Sequence, residues 1–257
     1  MDEVEFKLQV EKIYDDRINA NLNAVDAAGQ WGEVELVPLI CEEIFKKIEI
    51  KKNDRILEVG CGSGVLGNYL KSRCAEYYGI DISFGMLQKF QENDRERWFN
   101  LIKAVTDTLP FSNNTFSVIL MNSVSMYLHN DEQFKKTLAE MERVSSNKGI
   151  IFIGENVVPS RVYWEYSWFQ NLNKIFQIFA KPYIKLRLFL AAKNSVYAGK
   201  WTTYHRAISP NYIKNYFNGR CEMIVSDAAA MTIKKKNMGK KWKGNRRMDF
   251  VIKLGMK

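Results

Sequence analysis

A glycine-rich turn in the first third of the chain carries the clearest chemical signal. The stretch Ile56–Gly64, ILEVGCGSG, follows an apolar run and places glycines at Gly60, Gly62 and Gly64. Glycine lets the backbone approach a ligand where a Cβ would clash, and a turn from a strand into a helix presents unpaired helix N–H groups. We therefore predict a ligand site at the carboxyl end of the first strand.

The residues around this turn favour a ribose-bearing, positively charged ligand over a dinucleotide. Val65 stands where the dinucleotide fingerprint needs a small residue, so the pattern is G-x-G-x-G. Asp81 ends the next apolar strand, 21 residues after Gly60, where a carboxylate can accept both ribose hydroxyls. Glu58, inside the motif, would repel a pyrophosphate but suits a ligand that carries positive charge.

Alternating strand and helix patterns supply the elements that position this site. Such alternation is typical of βαβ units and a parallel sheet. Apolar strand patterns occur at 55–60, 77–81, 100–105, 116–122, 149–155, 221–227 and 248–254. Helical patterns occur at Val4–Asn23, Val34–Lys47, Val65–Cys74, Phe84–Glu96, Asp131–Ser145 and from Ser209 onward, with one or two amphipathic helices interrupted at Pro182 in between.

Four segments resemble the motifs of class I S-adenosylmethionine-dependent methyltransferases, specifically those that modify small molecules. LEVGCGSG (57–64) is similar to their first motif and YGIDIS (78–83) to their acidic second-strand motif. DTLPFSNNTFSVILMNSVSMYL (107–128) and NKGIIFIGE (147–155) are similar to the motifs that follow. The resemblance implies a Rossmann-like, seven-stranded, mostly parallel α/β sheet with helices on both faces and an antiparallel last strand. It also implies S-adenosylmethionine as cofactor and S-adenosylhomocysteine as product.

The same resemblance assigns cofactor roles to positions of this chain. Glu58 would support the ammonium end, Asp81 would hold the ribose hydroxyls, and Ile82 would lie against the adenine. One departure concerns the adenine amine, because Val105 replaces the usual carboxylate and Asp107 is the nearest acid. The full expected cofactor set is Glu58, Gly60, Cys61, Gly62, Gly64, Asp81, Ile82, Thr106, Asp107 and Asn122.

Four residues are candidates to accept a proton from the methyl acceptor. They are Tyr127, His129, Glu155 and His205, and His205 is favoured because an unperturbed imidazole pKa near 6.5 suits general-base work. The alternatives are core packing for Tyr127 and exposed loop positions for both histidines. With two histidines and no CxxC pair, no metal site is predicted.

Charge is distributed unevenly along the chain. Residues 1–180 carry 20 Lys/Arg and 26 Asp/Glu, a net charge of −6, whereas residues 181–257 carry 18 and 3, a net charge of +15. The segment 234–247, KKKNMGKKWKGNRR, holds eight cations and no acid. This field predicts an anionic small acceptor, such as a nucleotide-linked sugar or a lipid precursor, with nucleic acid as second choice.

We expect a single methyltransferase domain over 1–257. Its parts are N-terminal helices (1–50), a cofactor-binding core (51–156), an aromatic helical insert or lid after strand five (157–206), and a last helix with two strands (207–257). No signal peptide or membrane-spanning run is visible, so a cytoplasmic protein is expected, with peripheral membrane contact as an option for the insert.

The expected function is methyl transfer to oxygen or nitrogen of a small molecule. RNA or protein methylation is the rival enzyme function. A regulatory protein that binds the cofactor without turnover is the alternative from another class.

Overall fold

The computed structural model describes residues 2–19, 37–92, 94, 96, 98–156, 173–191, 197–200, 206–225 and 248–255. Nine strands lie in these ranges and form a seven-stranded sheet and a separate two-stranded one. The strands are β1 (Arg55–Val59), β2 (Glu76–Asp81), β3 (Asn100–Lys103), β4 (Phe116–Asn122), β5 (Ser145–Asn156), β6 (Tyr197–Lys200), β7 (Arg206–Ile208), β8 (Cys221–Val225) and β9 (Met248–Lys253).

The large sheet has the strand order β3-β2-β1-β4-β5-β9-β8. Strands β1 to β5 pair in parallel, whereas β9 is antiparallel to both β5 and β8. All seven predicted strands are therefore confirmed, and so is the mostly parallel arrangement. The strand order reverses between β1 and β4, and a crevice at the carboxyl ends of strands is expected at such a point.

Seven helices and one short 3₁₀ helix lie in the described ranges. The predicted Val65–Cys74 helix is confined to four residues, and Gly67 within it favours no extended helix. The helices are α1 (Glu3–Asn19), α2 (Val37–Ile48), α3 (Gly67–Leu70), α4 (Phe84–Glu92), α5 (Asp131–Val144), α6 (Lys174–Ala191) and α7 (Pro210–Tyr216), and the 3₁₀ helix spans Ser125–Tyr127.

The predicted interruption at Pro182 is wrong. Helix α6 continues through this proline from Lys174 to Ala191. Proline removes one backbone hydrogen bond, to the residue four positions earlier, but the turns on either side retain their own bonds. The first part of the predicted aromatic insert, residues 157–172, lies outside the described residues, so its role as a lid stays a prediction.

Side chains of neighbouring strands alternate between two apolar cores, as a sheet covered on both faces requires. On one face Ile56 and Leu120 belong to a core that includes Ile44 of α2. On the other face Leu57 belongs to a core that includes Phe134 of α5. The two cores bury the side chains of β1 and β4 on both faces of the sheet. This packing fixes the carboxyl ends of the two strands, where the site lies.

Candidate cofactor site

The glycine turn after β1 is held against the end of β2 by backbone hydrogen bonds. The N–H groups of Gly60 and Cys61 both donate to the carbonyl of Ile80, at 2.8 and 2.9 Å. Gly60 has a φ of +75°, and a Cβ placed there would lie 2.3 Å from Cγ2 of Val124. Only glycine fits this conformation and this approach. The turn therefore brings backbone N–H groups and the β4 loop together at one edge of the sheet.

Asp81 links the glycine turn to the loop that begins α4. Its Oδ2 accepts a hydrogen bond from the N–H of Gly62 and its Oδ1 accepts one from the N–H of Ser83, both at 2.9 Å. A carboxylate has about four acceptor positions, so each oxygen can accept a further donor. Burial raises the pKa of Asp81 to about 6, although the backbone bonds oppose that shift. The carboxylate thus keeps acceptor capacity at this edge, and its role in holding ribose hydroxyls stays a prediction.

Glu58 lies below the turn, on the face of β1 that carries Ile56. Glu58 is 4% exposed, and its Oε2 accepts a hydrogen bond of 2.6 Å from the hydroxyl of Tyr77. Burial raises the pKa of Glu58 to about 8, while the Tyr77 bond lowers it in part. A cationic group nearby would favour the ionised form. The ammonium-supporting role of Glu58 stays a prediction.

Asn122 ends β4 with a buried amide that has no partner in the described part of the chain. Both Oδ1 and Nδ2 are inaccessible to solvent and make no hydrogen bond there. The amide lies against Gly154 of β5, where an added Cβ would approach its Oδ1 to 2.3 Å. Buried polar groups in proteins are nearly always satisfied. The orphan amide at the end of the strand beside β1 thus keeps its capacity for a polar partner, and the cofactor-binding role of Asn122 stays a prediction.

Helix α1 lies across this edge and contacts the loop after β2. Oδ1 of Asp15 accepts hydrogen bonds from the Ser83 hydroxyl at 2.5 Å and from the N–H of Gly85 at 3.2 Å. A charge-assisted pair of this kind is stronger than neutral hydrogen bonds. The last half of α1 is thereby attached next to Asp81.

The same helix also reaches the loop after β4. The Tyr14 ring meets the Tyr127 ring edge-on, with centroids 5.7 Å apart, and its hydroxyl is hydrogen-bonded to Tyr127. Burial raises the pKa of Tyr14 well above its usual value, and the neighbouring Tyr127 and Asp81 act in the same direction. Tyr14 therefore stays a neutral donor between the two loops that border the site.

Two further contacts attach the first half of α1. Nζ of Lys7 lies 3.0 Å from Oδ2 of Asp107, and the Phe6 ring lies 5.0 Å from the ring of His129. Arg17, near the end of α1, stacks over Tyr14 at 5.0 Å and has a buried Nη1 without a partner among the described residues. Arg17 and Asn122 are the two described residues with such orphan side-chain atoms, and both lie on elements of this edge.

The remaining predicted cofactor residues lie either at the glycine turn and the end of β2 or beside α5. Gly64, at a φ of +84°, packs against Phe90, and the buried Cys61 lies against Gly79. Ile82 is half-buried beside Asp81. Thr106 instead faces α5, where its hydroxyl lies 2.8 Å from that of Thr137. The structure thus gathers the turn, Asp81 and Asn122 at one edge, with Asp107 reached through α1.

The candidate proton acceptors differ in how they are held. Oδ1 of Asn130 accepts from the N–H of Gln133 as the N-cap of α5, so its amide nitrogen is the group 2.9 Å from Nδ1 of His129. This assignment makes Nδ1 of His129 the acceptor of that hydrogen bond. Glu155 has a φ of +58°, and its N–H donates to Asp249. His205 lies outside the described residues.

Sequence reasoning missed the part that α1 plays. Helical spacing predicted the helix, but Tyr14, Asp15 and Arg17 belong to no motif. The available signal was a set of three polar or aromatic residues close together near the end of an amphipathic helix. The same pattern is common on solvated helices, so it did not distinguish α1 from them.

Comparisons with known proteins agree with the geometry of this edge. A family model described as "Methyltransferase domain" matches residues 57–153. The chain is 28% identical over 152 residues to a demethylmenaquinone methyltransferase of Anoxybacillus flavithermus, covering 55% of this chain and 63% of that protein. It is 34% identical over 118 residues to an uncharacterised protein of Methanocaldococcus jannaschii, covering 45% and 48%. The chain spans about half the length of the curated relatives it matches.

The fold is shared with solved structures of low sequence identity. Haemonchus contortus phosphoethanolamine N-methyltransferase 1, solved with phosphoethanolamine and S-adenosylhomocysteine, superposes with a TM-score of 0.66 at 15% identity, covering 100% of this chain and 51% of that one. The motif order, the sheet and the match over the cofactor-binding strands agree with one another. Residues 57–153 therefore match a methyltransferase domain, and they lie within a chain that has the fold of class I S-adenosylmethionine-dependent methyltransferases.

Proposed function

We propose that this protein transfers a methyl group from S-adenosylmethionine to an oxygen or nitrogen of a small, anionic acceptor. The proposal of a small acceptor rests on the position of α1. This helix lies across the carboxyl edge of the sheet, and its Tyr14 is hydrogen-bonded to Tyr127 in the loop after β4. An edge covered by a helix suits a molecule small enough to be enclosed. A folded protein or an RNA helix needs a more open approach.

Three groups of the described edge would hold the cofactor. Asp81 accepts the ribose hydroxyls, and the orphan amide of Asn122 bonds to the methionine end. Glu58 lies below the glycine turn as a carboxyl group that a cation would ionise. The bound cofactor supplies an already activated methyl group. The protein therefore has to align the acceptor and exclude water, and α1 contributes to both.

The hydrogen bonds favour Tyr127 over His129 as the residue that orients or deprotonates the acceptor. Tyr127 is hydrogen-bonded to the Tyr14 hydroxyl of α1, so its ring is held where α1 meets the loop after β4. Nδ1 of His129 is instead hydrogen-bonded to Asn130, so one of its two ring nitrogens is already engaged within the loop. His205 remains a third candidate. In Tyr127→Phe we expect turnover to fall more than acceptor binding, whereas His129→Ala should retain most turnover.

The charge distribution supports an anionic acceptor. Residues 181–257 carry a net charge of +15, and α1 adds the partly unpaired guanidinium of Arg17 at the edge itself. Positive potential raises the local concentration of an anion and is screened by salt. An acceptor with a phosphate or carboxylate group would therefore bind more tightly than its neutral analogue.

Product formation with labelled cofactor tests the proposal. The full chain would be incubated with labelled S-adenosylmethionine and separate pools of phosphorylated amines, quinone precursors, protein and RNA, with Asp81→Ala as the negative control. We expect label in a small anionic acceptor and S-adenosylhomocysteine in equal amount. Label in RNA or protein alone would establish the rival enzyme function. Tight cofactor binding without turnover on any pool would support a regulatory protein.

A further inference from the structure

Helix α6 exposes an unusual number of large apolar side chains. Ile175, Phe176 and Phe179 are 62%, 65% and 73% exposed. Tyr183 and Leu186 continue this surface at 66% and 59%. Large apolar side chains exposed singly are ordinary, but a contiguous apolar surface on one element marks an interaction site. The described part of α6 therefore has an exposed apolar face that is typical of an interaction site.

The exposed residues of α6 share one side of the helix. At about 100° per residue, the positions of Ile175, Phe176, Ile178, Phe179, Tyr183 and Leu186 fall within an arc of about 160°. Lys174, Lys181 and Lys185 fall just beyond one border of that arc, and Arg187 falls just beyond the other. The helix thus has an apolar face bordered by cations on both sides.

The chemistry of this face fits a lipid surface. α6 contains four cations and no acidic residue. Among the described residues, no helix is long and apolar enough to cross a membrane. Amphipathic helices with cations beside a face rich in Phe and Leu lie in the plane of the interface, with the apolar side chains below the headgroups. Cations at the borders then meet anionic headgroups.

We propose that α6 binds the surface of an anionic lipid bilayer through this face. A second copy of the chain is a poorer occupant, because two copies of the helix would bring the same cations together and repel each other. A neutral bilayer would satisfy the apolar residues but would offer no anionic headgroups to the cations at the borders of the face. The chain after these cations adds to the attraction, since residues 188–257 carry 15 Lys/Arg and 3 Asp/Glu, a net charge of +12.

Vesicle co-sedimentation of the full chain tests this proposal. We expect binding to phosphatidylcholine vesicles that contain phosphatidylglycerol, weak binding to phosphatidylcholine alone, and loss of binding as salt is raised. Phe176→Ser/Phe179→Ser should lower the partition coefficient by about tenfold or more, because two aromatic side chains leave the buried face. Lys174→Gln/Lys185→Gln/Arg187→Gln should remove the preference for the anionic lipid.

A matched control removes the same number of exposed apolar residues elsewhere. Val4 and Leu8 of α1 are 68% and 60% exposed, and Val4→Ser/Leu8→Ser should retain full vesicle binding. Equal binding to neutral and anionic vesicles, or unchanged binding of the phenylalanine double variant, would overturn the proposal. So would a dimer in sedimentation velocity that the phenylalanine double variant disrupts while vesicles bind neither protein.

Discussion

The glycine turn and helix α1 border the same site but are held in different ways. Backbone N–H groups of the turn bond to the carbonyl of Ile80, so its position follows from strand pairing. Helix α1 is attached through side chains, among them Asp15 to Ser83 and Tyr14 to Tyr127. A site can thus combine a rigid half encoded by local sequence with a half that docks by tertiary contacts. The first half should tolerate substitution least.

The largest effect is expected at the rigid half, in Gly60→Ala. A residue with a Cβ at a φ of +75° costs about 1–2 kcal/mol. The contact with Val124 at 2.3 Å adds overpacking of about 1–3 kcal/mol. We expect a lower free energy of unfolding in urea, and at least about tenfold weaker binding of S-adenosylhomocysteine by calorimetry, since 1.4 kcal/mol is a factor of ten.

Gly219 provides the matched control for this substitution. Its φ is +81°, but an added Cβ would meet nothing within 4 Å. Gly219→Ala should therefore cost only the conformational strain, about 1 kcal/mol, and leave cofactor affinity intact. Equal losses of affinity in the two variants would mean that the close approach of Gly60 to Val124 is unimportant for cofactor binding. The expectation that the glycine turn tolerates substitution least would then be wrong.

The next effect concerns the pH dependence of stability through Glu58. Its pKa rises from 4.5 to about 8 on folding because the carboxyl is buried, so the folded state prefers the neutral form. The stability it contributes is fully present below about pH 4.5 and is lost as pH rises through about 8. Glu58→Gln keeps an acceptor for Tyr77 but does not titrate. Above about pH 8 we expect it to be more stable than the wild type by about 2–4 kcal/mol.

The same carboxyl group reports on the cofactor. If the ammonium end of the ligand lies near Glu58, binding near neutral pH lowers its pKa and releases a proton. Calorimetry of S-adenosylhomocysteine binding in buffers of different ionisation enthalpy measures that release. The proton release should disappear in Glu58→Gln. Proton release that persists unchanged in Glu58→Gln would come from another group. Glu58 would then serve only as the hydrogen-bond acceptor of Tyr77.

The two halves of the site also differ in how far the sequence predicts them. The seven strands, the turn and Asp81 follow from apolar periodicity and from glycines at fixed offsets, which are local features. The docking of α1 depends on pairs far apart in sequence, such as Asp15 with Ser83, and no local pattern contains them. The small sheet of β6 and β7 was missed because its strands have four and three residues, too short for a periodic signal.

The docked half should respond most to Asp15→Ala. The substitution removes the acceptor of the Ser83 hydroxyl and of the N–H of Gly85, at a cost of about 1–2 kcal/mol. Because α1 is attached through side chains, we expect faster amide exchange in residues 3–19 and about tenfold weaker cofactor binding, with little change in global unfolding. Asp16→Ala, at the exposed neighbouring position, is the control and should match the wild type. Identical behaviour of both variants would show that α1 is held elsewhere.

The smallest effects are expected for the two ion pairs that join α1 to the end of β3 and to the loop after it. Asp107 is 7% exposed beside Lys7, whereas Lys103 and Glu11 are 48% and 20% exposed at a separation of 2.5 Å. An exposed pair gains little because water and salt screen it, so Lys103→Met should cost about 0.5 kcal/mol or less, and that cost should vanish at high salt. Lys7→Met leaves the nearly buried carboxylate of Asp107 without its cation and should cost about 1 kcal/mol or more with weaker salt dependence. Urea unfolding of both variants at two salt concentrations measures the difference. If Lys103→Met proves the more damaging, α1 is attached by its exposed charges rather than by its buried contacts, and the docked half of the site would dissociate at high ionic strength.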